Sequence, residues 1–333
     1  MKKKSDNHQN ALLEEGCVSP WEPLAKKAIP SAYKSPLHVF ILLLICNTLL
    51  SINPAMAVDK TLSHSVSAPL CRRIISLSPS ITEVLYALDL GQDLVGVTRY
   101  DRYPSDVDLK QKIGGFLDPN YEAIVALQPT VIFLLSEHID SSKKLKKLGL
   151  NIVTLDHRNI SGILDSILKV GKLCHRKSTA TALKNRLQGQ GQAIKRRIAG
   201  KAPVKTLVVI GGGAAEGALK NVYISGQDGF YSELLTYAGG ENVYKDKTIS
   251  MPTVSLEGLG ELDPDVIIEV VYPGVLSFNE EKRVLEGWSK LSHLDAVKNK
   301  RVYLLKDDFI SIPGPRYVEA LKRFVGILHG NLK

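Results

Sequence analysis

One stretch of this chain occurs twice, and that repetition limits what the chain can fold into more than any other feature. Asn120-Tyr-Glu-Ala-Ile-Val-Ala-Leu-Gln-Pro-Thr-Val-Ile132 is answered by Ser255-Leu-Glu-Gly-Leu-Gly-Glu-Leu-Asp-Pro-Asp-Val-Ile267. Each copy sets a capping residue first (Asn120, Ser255), a glutamate two positions on (Glu122, Glu257), a short apolar helix, then a proline that stops it. A Val-Ile pair then opens a strand. Two further pairs keep the same order. Gly91-Gln-Asp-Leu-Val95 and Gly240-Glu-Asn-Val243 each close an apolar helix upstream, and Asn151–Leu155 and Arg301–Leu305 read as late strands downstream. Three matched elements in one order predict two lobes of like architecture.

Between the copies lies Ser178–Ala199, which reads as one long helix. Ala180, Leu183, Leu187, Ile194 and Ile198 recur at steps that share one helical face, while Lys184, Arg186, Gln192, Lys195 and Arg197 fall mostly on the other. Gly189 and Gly191 interrupt it, each costing about 1 kcal/mol relative to alanine, so packing rather than propensity must hold it straight. The expected organisation is a first lobe over 58–175, a bridging helix over 176–201 and a second lobe over 202–333. In each lobe strands alternate with helices, which predicts an α/β architecture of two Rossmann-like lobes with mostly parallel sheets. The first lobe opens with the strand Arg73–Leu77. Ser80 and Glu83 have the spacing of a capping box, predicting a helix from there to about Leu90.

The opening residues read as an export signal. Leu37–Leu50 is an apolar run too short to span a bilayer comfortably, preceded by Lys26, Lys27 and Lys34 and followed by Ala55-Met-Ala57, so 1–57 is expected to be a signal peptide cut after Ala57. The stretch before Lys26 is long for such a signal and leaves the true start open. Cys46 follows Ile45 rather than a small residue, so lipid anchoring is not expected. Export places the mature chain outside the cytoplasm and leaves it Cys71 and Cys174, which form either one disulfide or two separate thiols. The formal charge of +9 is scattered rather than gathered on one face, which argues against a nucleic-acid partner.

The sequence carries no G-x-S-x-G, H-E-x-x-H or C-x-x-C, and no enzymatic activity or cofactor is expected of it. Gly211-Gly-Gly213 follows a strand but lacks dinucleotide-fingerprint spacing, so an exported nucleotide-binding enzyme is a distant alternative. A metal binder using His138 and His157, which follow successive strands, is another; a pair without a third ligand is more often rim polarity. Tyr100, Tyr103, Phe116, Tyr223, Phe309 and Met251 stand where α/β lobes present their binding edges. Together they predict a large, flat, partly apolar ligand stacked between the lobes.

Arg73-Ile-Ile-Ser-Leu-Ser-Pro-Ser-Ile-Thr-Glu83, the Gly-Gly-Phe-Leu-Asp-Pro stretch running on to Pro129, Ala238-Gly-Gly-Glu-Asn-Val243 and Ile312-Pro-Gly-Pro-Arg-Tyr-Val-Glu-Ala-Leu321 resemble the cobalamin and ferric-siderophore class of periplasmic substrate-binding proteins of ABC transporters. The likeness runs from about Arg72 to Gly330. It implies the class III fold, two lobes joined by one rigid helix, in a monomer that carries a small molecule to the permease subunits of an ABC importer. It implies that Glu122 and Glu257, one on each lobe, dock onto that permease. It implies ligand contacts at Tyr100, Phe116, Tyr223, Met251, Asp308 and Arg316. Arg99 and Arg102 are the only other loop arginines placed for an anionic chelate, so the expected ligand is cobalamin (vitamin B12) or a related corrinoid. A ferric siderophore or haem is the alternative within the class.

Overall fold

The computed structural model describes residues 70–211, 219, 221–272 and 277–330. The expected signal peptide, and Gly212 and Gly213 of the glycine cluster, lie outside the described residues.

The first lobe runs β1 (Ile74–Ser76), α1 (Pro79–Ala87), β2 (Leu94–Val97), β3 (Gln111–Lys112), α2 (Tyr121–Ala126), β4 (Val131–Leu135), α3 (Ile139–Lys147), β5 (Ile152–Leu155) and α4 (Ile160–Leu173). Its sheet is ordered β3-β2-β1-β4-β5, and every neighbouring pair is parallel. The apolar run Val-Ile-Phe-Leu-Leu of β4 is buried at every position, as a parallel strand covered on both faces must be. Helix α5 (Lys177–Arg197) follows.

The second lobe runs β6 (Val204–Gly211), β7 (Asn221–Ile224), α6 (Phe230–Tyr237), β8 (Gly240–Asn242), β9 (Thr253–Ser255), α7 (Leu256–Leu262), β10 (Val266–Val270), α8 (Phe278–Ser289), α9 (Asp295–Lys298), β11 (Val302–Leu305), α10 (Asp308–Ser311) and α11 (Tyr317–His329). Strands β8, β6, β10 and β11 pair in parallel, reproducing β2, β1, β4 and β5. Onto this the second lobe adds an antiparallel pair: β7 runs against the end of β6, and β9 against β7.

The duplicated segment folds as its sequence dictates. Asn120 caps α2 by accepting the Ala123 N–H at 3.0 Å, and Ser255 caps α7 by accepting the Gly258 N–H at 3.2 Å. The segments beginning at Gly91 and Gly240 do not close helices. Gly91–Asp93 is a short 3-10 turn beyond α1, and Gly240 already belongs to β8. Their shared role is to lead into the strand that pairs with the first strand of the lobe.

Helix α5 buries Ala180, Leu183, Leu187 and Gly191. Gly191 is there for space: a β-carbon on it would lie 3.2 Å from the Tyr317 hydroxyl, which donates to the Leu187 carbonyl at 2.8 Å. A β-carbon on Gly189 would meet nothing within 4 Å. One face of each sheet packs in a cluster of its own, around Ile75, Ile124 and Ile132 in the first lobe and Leu207, Ile267 and Trp288 in the second. The other faces merge into a single core that runs from Ile74 and Phe133 through Leu183 and Leu187 of α5 to Leu234 and Phe324. Shared burial of that kind ties the lobes to the bridging helix.

Cys71 and Cys174 form a disulfide that closes a loop of sequence separation 103 and fastens the end of α4 beside the start of β1. A loop of about 100 residues closed this way is worth up to about 4.7 kcal/mol in chain entropy. The expected capping box is absent. Helix α1 begins at Pro79 after Ser78, so Ser80 lies inside its first turn, and Glu83 points away to a residue of the second lobe.

Candidate functional site

The carboxyl ends of the two sheets enclose a cavity of about 740 Å³. That is where open parallel sheets leave room for a ligand, and the volume lies in the usual range of small-molecule sites. From the first lobe come Ser78–Ser80 after β1, Tyr100 after β2, Phe116 after β3, Glu137 after β4, and His157 and Arg158 after β5. The second lobe contributes Ile210 and Ser225 at the ends of β6 and β7, Asp228–Tyr231 at the start of α6, Ser250 and Met251 before β9, Tyr272 after β10, and Ser311–Pro313 after β11.

Phe116 is held by a loop only glycine could build. Gly114 sits at φ +96°, and a β-carbon on Gly115 would collide with the Asp118 carboxylate and the Arg99 guanidinium that pairs with it. Behind Phe116 packs His138, ring centroids 4.2 Å apart, its Nδ1 accepting the Leu135 N–H at 3.1 Å. Tyr100 is braced from across the cleft. The Tyr272 hydroxyl donates to the Tyr100 carbonyl at 2.8 Å, and the two rings meet edge to face at 6.1 Å. His157 shares a 2.8 Å hydrogen bond with Ser80 Oγ, and burial pushes its pKa down to about 4 against the opposing pull of Asp156. His138 is lowered by burial as well, so both imidazoles are neutral. Among the described residues no group of three or more His, Cys, Asp or Glu is placed to hold a metal ion.

Of the ligand contacts expected from the sequence, the structure sets Tyr100, Phe116 and Met251 on the cavity wall. Met251 is 61% exposed there. Tyr223, Asp308 and Arg316 are not among the described wall residues. Tyr223 is an outward-facing residue of β7, where alternate residues are buried. Arg316 and Asp308 are taken up by one another. Arg316 Nη1 and Nη2 donate to the two Asp308 oxygens at 2.9 and 2.8 Å, and Nη2 also donates to Glu83 Oε1 at 2.5 Å. Of the remaining expected residues, Phe309 packs against the shared core and Tyr103 lies under the Arg316 guanidinium, 3.9 Å from its ring centroid. Glu122 and Glu257 stand exposed in the first turns of α2 and α7, equivalent positions on the two lobes.

The guanidiniums near the cleft are occupied. Arg99 pairs with Asp118, Arg158 with Asp156 at 2.6 Å, and Arg102 lies over the Tyr272 ring at 6.0 Å. Glu137 and Asp228 add two carboxylates to the wall, which sequence reasoning missed along with Tyr272 and Tyr231. Each of these four stands just past a strand or at the opening of a helix, and that position is the one signal the sequence offered.

Gly211 ends β6, and the rest of the glycine cluster lies outside the described residues.

Comparison with known proteins agrees with this architecture. An ABC transporter substrate-binding lipoprotein of Bacillus subtilis is 30% identical over 258 residues, covering 75% of this chain and 78% of the relative. The vitamin B12-binding protein of Vibrio cholerae is 25% identical over 258 residues, covering 75% and 87%. Among solved structures, an ABC transporter substrate-binding protein from Listeria monocytogenes superposes with a TM-score of 0.69 at 25% identity, over 78% of this chain and 99% of that one. A Staphylococcus aureus protein complexed with heme does so with a TM-score of 0.66 at 26% identity, over 77% and 98%. With the profile of the periplasmic binding protein family matching residues 74–309, this chain belongs to that family, one of binding proteins rather than enzymes.

Proposed function

We propose that this protein works outside the cytoplasm, captures a corrinoid such as cobalamin in the cleft between its lobes, and hands it to the permease subunits of an ABC importer. The observation that carries the choice of ligand is the pairing of the cleft's cations. A ferric catecholate or hydroxamate wants several unpaired guanidiniums, whereas Arg99, Arg158 and Arg316 already hold carboxylates and Arg102 lies on an aromatic ring. A corrin with a neutral amide rim wants flat apolar walls and hydrogen-bond acceptors. Phe116, Tyr100 and Tyr272 supply the first, and Glu137 and Asp228 the second. A protein of the same family bound to heme supports a second reading, favoured here by the buried His157, a wall residue whose Nε2 has no hydrogen-bond partner. Passing the protein over a desalting column after mixing with cyanocobalamin, haemin or a ferric siderophore distinguishes the three, because each ligand carries its own absorption spectrum with the protein.

Glu122 and Glu257 address the permease in this reading, since two like carboxylates on equivalent helix starts match a two-fold pair of subunits. Replacing both by alanine abolishes uptake in cells and leaves the ligand affinity of the purified protein unchanged. Loss of affinity in that double variant would place the glutamates in the binding site instead. Export with cleavage after Ala57 is part of the same proposal, and N-terminal sequencing of the secreted protein checks it.

A further inference from the structure

Glu83 belongs to α1 of the first lobe, and Arg316 and Asp308 belong to the second. Their hydrogen bonds join residues 233 apart in sequence and lie beside the cleft rather than in its wall. Both ends of this link continue directly into cavity wall. Ser78, Pro79 and Ser80 open the helix that carries Glu83, and Ser311, Ile312 and Pro313 lie between Asp308 and Arg316. Gly314 lets the two segments approach, since a β-carbon there would stand 3.0 Å from Glu83 Oε2. From the second lobe, the Tyr231 hydroxyl pins the same segment by donating to the Ile310 carbonyl at 3.0 Å. We propose that Glu83, Arg316 and Asp308 form a clasp between the lobes that sets the spacing of the two cavity walls, which makes them positioning residues for the ligand rather than ligand contacts.

The electrostatics give the clasp a direction of response. The Glu83 side chain is 2% exposed and that of Asp308 30%, and the two carboxylates diverge accordingly. Burial raises Glu83 to about 7, against the hydrogen bond and charge of Arg316, with Asp308 and Asp101 adding to the rise. Burial also acts on Asp308, but the bidentate bond and charge of Arg316 outweigh it and hold that carboxyl below its ordinary value. The charged groups facing this cluster are Arg316 and Asp308 from the second lobe, Asp101 from the loop after β2, and Lys112 of β3, which acts on Asp101. Tyr103 covers Arg316 from the same loop. Glu83 Oε2, Asp101 Oδ1 and Arg316 Nε are buried without hydrogen-bond partners. Parting the lobes returns Glu83 to water and to an ordinary carboxylate pKa, so the closed form binds its proton more tightly than the open form. By linkage, closure is then favoured as pH falls through about 7 and opposed as pH rises above it.

The test uses spin labels on Lys146→Cys in α3 and Lys290→Cys after α8, exposed sites on the two lobes, with Cys71 and Cys174 protected by their disulfide and Cys17 and Cys46 replaced by serine. Inter-label distances are measured on the full chain between about pH 5.5 and about pH 8.5. The clasp predicts a distribution that shifts to shorter, narrower values as pH falls. Arg316→Ala, which leaves two facing carboxylates with no cation between them, shifts it to longer, broader values at about pH 8.5. Glu83→Gln preserves the shape, cannot ionise, and abolishes the pH response, which keeps the test decisive should Arg316→Ala fold poorly. A wild-type distribution indifferent to pH, or a Glu83→Gln variant that keeps the wild-type response, overturns the proposal. No ligand is needed, so failure of the clasp and failure of the corrinoid reading are seen separately.

Discussion

The two lobes share a strand plan and differ in what stands beyond it. In the first lobe β1 passes directly into α1, all strand pairs are parallel, and the cavity residues sit on braced loops: Phe116 on His138 and His157 on Ser80 from within the lobe, Tyr100 on Tyr272 from across the cleft. In the second lobe the antiparallel strands β7 and β9 extend the sheet at the side of β6 away from β10, and the wall they border is open, with Ser250 donating to Asp228 and Met251 exposed. Duplicated strand plans thus leave each lobe free to line the cleft in its own way. The first lobe offers an aromatic plate that Tyr272 of the second lobe braces, and beside β7 and β9 the second lobe adds an open rim around Met251 and Asp228.

The largest expected difference concerns stability, because the disulfide belongs wholly to the first lobe. Replacing Cys71 and Cys174 by serine lowers unfolding stability by about 2–5 kcal/mol. Hydrogen exchange should place the loss in β1 and α4 rather than in β10; equal loss in both lobes would mean that the shared core, not the crosslink, governs. Next comes ligand affinity. Phe116→Ala weakens binding roughly 10- to 100-fold by removing a braced stacking face, and Met251→Ala changes it by less than about fivefold because that side chain is already largely in water. Equal effects, measured by titration, would erase the distinction between plate and rim. Smallest is a pair of substitutions in α5. Gly189→Ala raises thermal stability by about 1 kcal/mol through helix propensity, and Gly191→Ala lowers it by a similar amount because its methyl presses on Tyr317. Two changes of the same sign would show that packing under α5 does not join the lobes tightly.

The repeated plan was legible because it is written in local chemistry. The caps at Asn120 and Ser255, the buried run of β4 and the spacing of Ala180, Leu183 and Leu187 each depend on neighbours within a few positions, and the structure shows all of them. Glu83 was misread for the same reason. A Ser-x-x-Glu spacing signals a capping box only while no tertiary partner competes, and Arg316, far along the chain, takes the carboxylate. Arg316 and Asp308 were expected to meet ligand, and no sequence pattern could show that they satisfy one another. The strands β7 and β9 were also hidden in part: Val222–Ser225 reads as a strand, but its antiparallel direction depends on a pairing with the end of β6 that no local pattern encodes. The aromatics at Tyr100 and Phe116 were found because position past a strand end is itself a signal; Tyr272 has the same position and was passed over.

Whether a corrinoid fills the cleft is tested most directly by calorimetric titration of the purified protein with cyanocobalamin, beside haemin and a panel of ferric siderophores. Saturable one-to-one binding of cyanocobalamin, weakened by Phe116→Ala and unaffected by the loss of Glu122 and Glu257, is the predicted result. Binding of an iron chelate or of haemin with no response to cyanocobalamin would contradict it.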